Sequence, residues 1–111
     1  MSKLIRDKIP AIIRGKGSTP ITHIADRDEY REALFDKLTE EAGELRDADS
    51  EHAPEELADM LEVVFALAAD HGVTRDELEE VRQAKHAERG GFRQRIIWDG
   101  NREPADREPG Q

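Results

Sequence analysis

The chain has 111 residues, a length that suits one domain with a modest core of its own. Acidic residues outnumber basic ones by 26 to 17, and the formal net charge is −9. Such acidity argues against binding a nucleic acid polymer, because that requires Lys and Arg to displace counterions. The chain has no cysteine, which excludes disulfides and thiolate chemistry.

Apolar segments are short throughout. The start of the chain has no long apolar stretch of the kind that signal peptides carry. The longest apolar run, 60–69, contains Glu62 and is too short to span a bilayer. We therefore expect a soluble cytoplasmic protein with no membrane partner.

The predicted elements begin with a short extended start within 1–17, followed by one or two helical turns. Pro10 suits the first helical position, and two glycines end the run. A brief strand is predicted at about 20–25, where isoleucines and β-branched threonines follow Pro20.

The second helix is predicted over 29–49, with Asp28 as its N-cap. Its inward face is defined by apolar residues at helical spacing: Tyr30, Leu34, Leu38 and Leu45. The third helix is predicted from Pro54 to His71, where Gly72 ends it. It should be the most buried, because its apolar face is broad: Leu57, Met60, Leu61, Val64, Leu67 and Ala68.

The fourth helix is predicted over 75–88, where Thr74 and Glu77 have the spacing of a capping box. A second short strand is predicted at 92–98, paired with 20–25. Residues 1–99 would then form one domain, and the polar segment 100–111 a disordered tail. The fold class is mainly α: an antiparallel helical bundle with a small two-stranded β element.

Carboxylates lie on the core side of two predicted helices. Glu41 lies within the apolar arc of the second helix, Glu44 at its edge and Glu40 further outward. Glu56 and Asp59 border the apolar face of the third helix. No Lys or Arg is expected on the inner arc of either helix.

Burying several carboxylates together is costly unless a cation binds them. An acid-rich helix is more often a solvated face. Here, however, Glu41 interrupts an apolar seam, and a second acidic pair lies on the neighbouring helix. Oxygen ligands favour a hard cation such as Mg²⁺, with Mn²⁺ as an alternative.

The acidic pattern resembles that of the MazG-like all-α nucleoside triphosphate pyrophosphohydrolases. E-E-x-x-E at 40–44 is followed by E-x-x-D at 56–59. Residues 3–10 (KLIRDKIP) and 88–92 (ERGGF) resemble a small subfamily described as phosphoribosyl-ATP pyrophosphohydrolase-like. The resemblance covers roughly residues 3–98, and it is strong for the family and weak for the substrate.

The resemblance implies that Glu41, Glu44, Glu56 and Asp59 bind Mg²⁺. Water would then attack a phosphorus of a nucleotide and split the α–β linkage, giving a nucleoside monophosphate and pyrophosphate. Glu40 would be either the base that accepts the proton of the water or an outer partner of the metal site. Family members form dimers or tetramers, so we expect a homodimer or a higher homo-oligomer, which completes the bundle.

Four cations near the two ends of the domain are candidates for binding the phosphate tail: Arg6, Lys8, Lys85 and Arg89. For Arg6 and Lys8 the alternative is surface salt bridges. For Lys85 and Arg89 it is complementing the dipole at the end of a helix. Trp98 would either stack on a base or lie in the core or the dimer interface.

Three functions remain open on the sequence. The first is a Mg²⁺-dependent nucleoside triphosphate pyrophosphohydrolase with a role in removing noncanonical nucleotides. The second is the phosphoribosyl-ATP pyrophosphohydrolase of histidine biosynthesis. The third is a non-catalytic helical dimerisation or regulatory module, which the retention of all four acidic positions disfavours.

Overall fold

The computed structural model describes residues 2–102 and residue 104. Within that part of the chain the fold is mainly α, as predicted, with four helices in chain order. They are α1 (Ile9–Gly15), α2 (Arg27–Asp47), α3 (Ala53–Asp70) and α4 (Arg75–Arg89). Most of the tail predicted to be disordered, at 103 and 105–111, lies outside the described residues.

The predicted β element is wrong, since no described residue lies in a strand. No backbone hydrogen bond joins 20–25 to 92–98 among the described residues. The second segment begins with a turn instead, in which the Arg95 amide donates to the Phe92 carbonyl at 3.1 Å. Arg95 has a φ of 58°, a left-handed conformation that breaks an extended strand. Apolar and β-branched content predicted strands, but a strand also needs a partner.

The N-cap of α2 is Asp26 rather than the predicted Asp28. The carboxylate of Asp26 accepts a hydrogen bond from the amide of Glu29 at 2.9 Å. Asp28 lies one step inside the first turn, where its charge still complements the helix dipole. Two aspartates lie close to this helix start, and the earlier one has the extended backbone that a cap requires.

The predicted ends of α3 and α4 are confirmed to within a residue or two. Pro54 lies in the first turn of α3, and Gly72 follows its last turn with a φ of 76°. Thr74 and Glu77 form the capping box: the Glu77 amide donates to the Thr74 hydroxyl at 3.1 Å, and the Thr74 amide donates to the Glu77 carboxylate at 3.2 Å.

Helices α2 and α3 form an antiparallel pair, which is the main packing unit of the fold. Arg31 near the start of α2 donates to Asp70 at the end of α3. The buried hydrophobic side chains among the described residues are Leu34 on α2 and Val63 on α3, at 2% and 8% exposure. The extended segment before α1 crosses α2 and places Lys3 beside Glu40.

The apolar face of α3 is only partly covered. Leu57 and Leu61 are 52% and 47% exposed, so this helix is less buried than its sequence predicted. The open side forms an apolar groove between α3 and α4, lined chiefly by Leu45, Leu57, Leu61, Val64, Phe65 and Leu78. None of the described helices has the length and apolar content to cross a membrane.

Candidate metal centre

Glu41 lies at the centre of an acidic cluster between α2 and α3. It is two turns after Leu34, so the same face of α2 that buries the leucine carries the carboxylate toward α3. Glu41 is the buried charged residue of the described chain, at 6% exposure. The helical spacing predicted this inward position.

The carboxylates form two overlapping groups. In one, oxygens of Glu41, Glu56 and Asp59 lie within 4.8 Å of one another. In the other, Glu40, Glu41 and Glu44 meet the same limit. Glu41 belongs to both groups and therefore joins the acidic residues of α2 to those of α3. Residues from the two helices therefore converge at one level.

Two carboxylate oxygens of this cluster are buried without a hydrogen-bond partner. They are Oε2 of Glu41 and Oε2 of Glu56, one on each helix. An unpartnered buried acceptor costs free energy, and an ionised one costs more. The described protein groups offer these oxygens no donor. A hard divalent cation, which binds carboxylate oxygens, fits this donor set.

The electrostatics of the cluster agree with that fit. Burial raises the pKa of Glu41 above its usual value, and the nearby Glu44 carboxylate raises it further. Burial also raises the pKa of Glu56, and the same Glu44 again adds to the effect. Glu44 is exposed, yet it acts on both Glu41 and Glu56. A cation bound among them would reverse these shifts by favouring the charged forms.

One cation does lie on the inner side of α2, contrary to the sequence prediction. The ammonium of Lys37 lies 3.7 Å from Oε1 of Glu41 and 3.4 Å from Oε2 of Glu40. Its side chain is 15% exposed. The sequence contained the signal: Lys37 is three residues after Leu34 and four before Glu41, which places it on the inner arc.

Glu40 lies between two cations. Its Oε1 is 3.5 Å from the Lys3 ammonium, and its Oε2 contacts Lys37. Burial raises the pKa of Glu40, but the attraction of Lys37 and Lys3 outweighs this and leaves the pKa below its usual value. Sequence reasoning also missed Lys3, because the path of the N-terminal segment across α2 leaves no periodic pattern.

Of the four cations predicted to bind phosphate, Arg6 lies at the cluster. Its Nη1 is 3.1 Å from Oδ1 of Asp59. Within the described chain, Lys8, Lys85 and Arg89 make no hydrogen bond or ion pair with the acidic cluster. Lys8 precedes α1 as its N-cap, and the other two are exposed on the last turns of α4. Trp98 is 77% exposed and donates to Asn101, so it is not part of the core.

Comparison with known proteins places the helices in a family. Residues 10–87 match the family model of phosphoribosyl-ATP pyrophosphohydrolase. The matched region includes all five acidic residues of the cluster and Lys37, and it excludes Lys3 and Arg6. An uncharacterized protein from Mycolicibacterium smegmatis is 49% identical over 53 residues, which cover 48% of this chain and 54% of that protein. The chain thus spans about half the length of this curated relative. No solved structure matches the chain.

Proposed function

Because the chain belongs to the phosphoribosyl-ATP pyrophosphohydrolase family, we propose that it is a Mg²⁺-dependent cytoplasmic enzyme that hydrolyses a nucleoside triphosphate or a related nucleotide. The cut would fall at the α–β phosphoanhydride and yield a nucleoside monophosphate and pyrophosphate. The observation that carries the proposal is the pair of buried carboxylate oxygens on Glu41 and Glu56 that have no hydrogen-bond donor.

In this proposal Glu41, Glu44, Glu56 and Asp59 hold the cation. Mg²⁺ fits a site of a few carboxylates that leaves room for water and substrate oxygens, and Mn²⁺ is the alternative. When bound, the cation supplies Lewis-acid activation of a phosphate group and of water. The residues themselves fix the position of the cation at the level where α2 and α3 meet.

Arg6 is the best-placed candidate of the four for contacting phosphate, since it already lies at the cluster beside Asp59. Lys8, Lys85 and Arg89 would reach a long nucleotide only from outside the cluster. For Glu40 we favour the outer role over the role of base. A carboxylate whose pKa is held low by two ammonium groups is a weak proton acceptor near neutral pH.

A second substrate is equally consistent with the family match, namely phosphoribosyl-ATP of histidine biosynthesis. The matching family is named after this substrate. The acidic cluster does not discriminate, because both substrates present the same phosphoanhydride to it. A screen for pyrophosphate release separates the two if it includes phosphoribosyl-ATP beside canonical and modified nucleoside triphosphates, each with Mg²⁺ and with Mn²⁺.

The test of the metal site uses the substrate that this screen selects. Glu41→Gln and Asp59→Asn should each lower the rate of pyrophosphate release at least about 100-fold, because each removes a carboxylate from the cation. Glu62→Gln is the matched control, since Glu62 is exposed on α3 one turn beyond Asp59. Full activity in both cluster variants would contradict the proposed site.

The non-catalytic alternative predicts a different response to metal. A protein that binds Mg²⁺ in its native state becomes more stable as Mg²⁺ is added, whereas a module without the site does not. The wild-type melting temperature should therefore rise with Mg²⁺ concentration, and Glu41→Gln should abolish the rise. A flat wild-type titration together with no pyrophosphate release would favour the dimerisation module.

We also propose that the protein acts as a homodimer or a higher homo-oligomer. The apolar groove has a volume of about 610 Å³ and is open in the single chain. Exposed leucines on one helix face are typical of a surface that another protein copy covers. Such a contact would supply the core that α2 and α3 alone do not complete.

A further inference from the structure

Lys37 lies beside the acidic cluster, but its ammonium has no role in the proposed function. Its side chain is mostly covered by the protein, at 15% exposure. An ammonium partly withdrawn from water needs a partner, and Lys37 is paired with two carboxylates, those of Glu40 and Glu41. In the described chain it is the one basic group within 4 Å of Glu41, so it partly neutralises the most buried acid of the cluster.

Binding of a divalent cation to Glu41 changes the surroundings of this ammonium. The cation and Lys37 would then share one carboxylate, and two like charges so close repel each other. Lys37 has a second partner, Oε2 of Glu40 at 3.4 Å, and Glu40 itself is held by Lys3. The flexible stem of lysine therefore allows the ammonium to leave Glu41 and remain at the rim of the cluster.

We propose that Lys37 exchanges partners: it pairs with Glu41 in the metal-free protein and binds a substrate phosphate oxygen when the cation is in place. A diphosphate or triphosphate group bound to the cation would bring several negative charges close to an ammonium that has lost one of its two carboxylate partners. A lysine ammonium is a suitable point-charge partner for phosphate. This inference rests on the proposed function, because it requires both a cation and a phosphate ligand.

The exchange predicts two effects of opposite sign in Lys37→Met, a variant that keeps the apolar stem and loses the charge. Mg²⁺ alone should bind more tightly, by about threefold or more, because the competing ammonium is gone. Imidodiphosphate, a non-hydrolysable phosphate ligand, should bind about tenfold more weakly in saturating Mg²⁺, because its cationic partner is lost. Isothermal titration calorimetry on the full chain measures both dissociation constants.

Two further variants make the test specific. Lys3→Met removes the other ammonium from Glu40, but no contact joins Lys3 to Glu41, so both dissociation constants should stay within about twofold of wild type. Lys37→Arg retains the charge and should recover most of the affinity for imidodiphosphate.

Two results would overturn the exchange. If Lys37→Met weakens the binding of both Mg²⁺ and imidodiphosphate, the lysine only supports the shape of the site. If the affinity for imidodiphosphate is unchanged, Lys37 does not touch phosphate. Failure of the proposed function would look different, since wild type itself would bind no Mg²⁺ and release no pyrophosphate from any nucleotide in the screen.

Discussion

At the scale of single residues, the defining feature is a carboxylate, that of Glu41, whose ionised form is disfavoured by its surroundings unless a cation binds it. Burial and the neighbouring Glu44 raise the pKa of Glu41. A raised pKa in the folded state contributes stability below the unfolded pKa, and this contribution is lost as pH rises through the folded value. At neutral pH and without metal, ionised Glu41 therefore opposes folding.

Glu41→Gln should consequently melt at a higher temperature than wild type in EDTA at pH 7. We expect a rise of roughly 4 °C, which corresponds to about 1 kcal/mol. Differential scanning calorimetry measures it, with Glu32→Gln, an exposed position on α2, as the control. The difference should shrink as pH falls through the raised pKa of Glu41, because wild type then becomes neutral there too. A lower melting temperature for Glu41→Gln in EDTA would contradict this account.

The residues of the cluster differ in how well their positions can be predicted from the sequence. Glu41 could be predicted because its position depends only on helical periodicity relative to Leu34. Lys37 obeys the same periodicity and could have been found, but no Lys or Arg was predicted on the inner arc. Lys3 and Arg6 could not be placed, because their contacts depend on how an irregular segment crosses α2.

At the scale of elements, the helices were predictable because their signals are local. A capping box, a proline in a first turn and a glycine after a last turn each act within a few residues. The strand pair was not predictable in the same way, since pairing depends on two segments far apart in sequence. The N-cap of α2 shows the limit of local signals. Asp26 and Asp28 have the same side chain, and only their backbone conformations distinguish the cap from the helical residue.

The antiparallel arrangement of α2 and α3 is fastened at one end by Arg31 and Asp70. Arg31 donates to the Asp70 carboxylate and thereby lowers the pKa of Asp70. A lowered pKa contributes stability above the unfolded pKa, and this contribution is lost as pH falls through the folded value. Asp70→Asn should therefore melt at a lower temperature than wild type at pH 7.

The same difference should disappear in acid, below the lowered pKa of Asp70, because wild type is then protonated as well. Thermal unfolding followed by circular dichroism across that pH range measures the effect. Asp36→Asn serves as the control, since Asp36 is exposed on α2 and has no ion pair in the described chain. A destabilisation of Asp70→Asn that is independent of pH would show that shape rather than charge fastens the helix ends.

At the scale of the whole molecule, the single chain leaves exposed much of the apolar surface that its sequence places on one face of α3. The third helix carries the broad apolar face that predicted deep burial, yet Leu57, Leu61 and Val64 remain between 37% and 52% exposed. Periodicity identifies an apolar face but does not say which chain covers it. The prediction that α3 is buried is consistent with the observed groove if a second copy of the chain packs against this face.

Leu61→Lys places a charge in the middle of the apolar groove and should convert the proposed oligomer to monomer, because an unpaired ammonium in an apolar contact is costly. Size-exclusion chromatography with light scattering measures the molar mass, and the monomer should also melt at a lower temperature. Val81→Lys is the matched control, since Val81 is 56% exposed on α4 outside the groove. An oligomer whose molar mass is unchanged in Leu61→Lys would show that the interface lies outside the groove. A wild type that is monomeric at all concentrations would contradict the proposed oligomer, and the apolar face of α3 would then be exposed in the native protein.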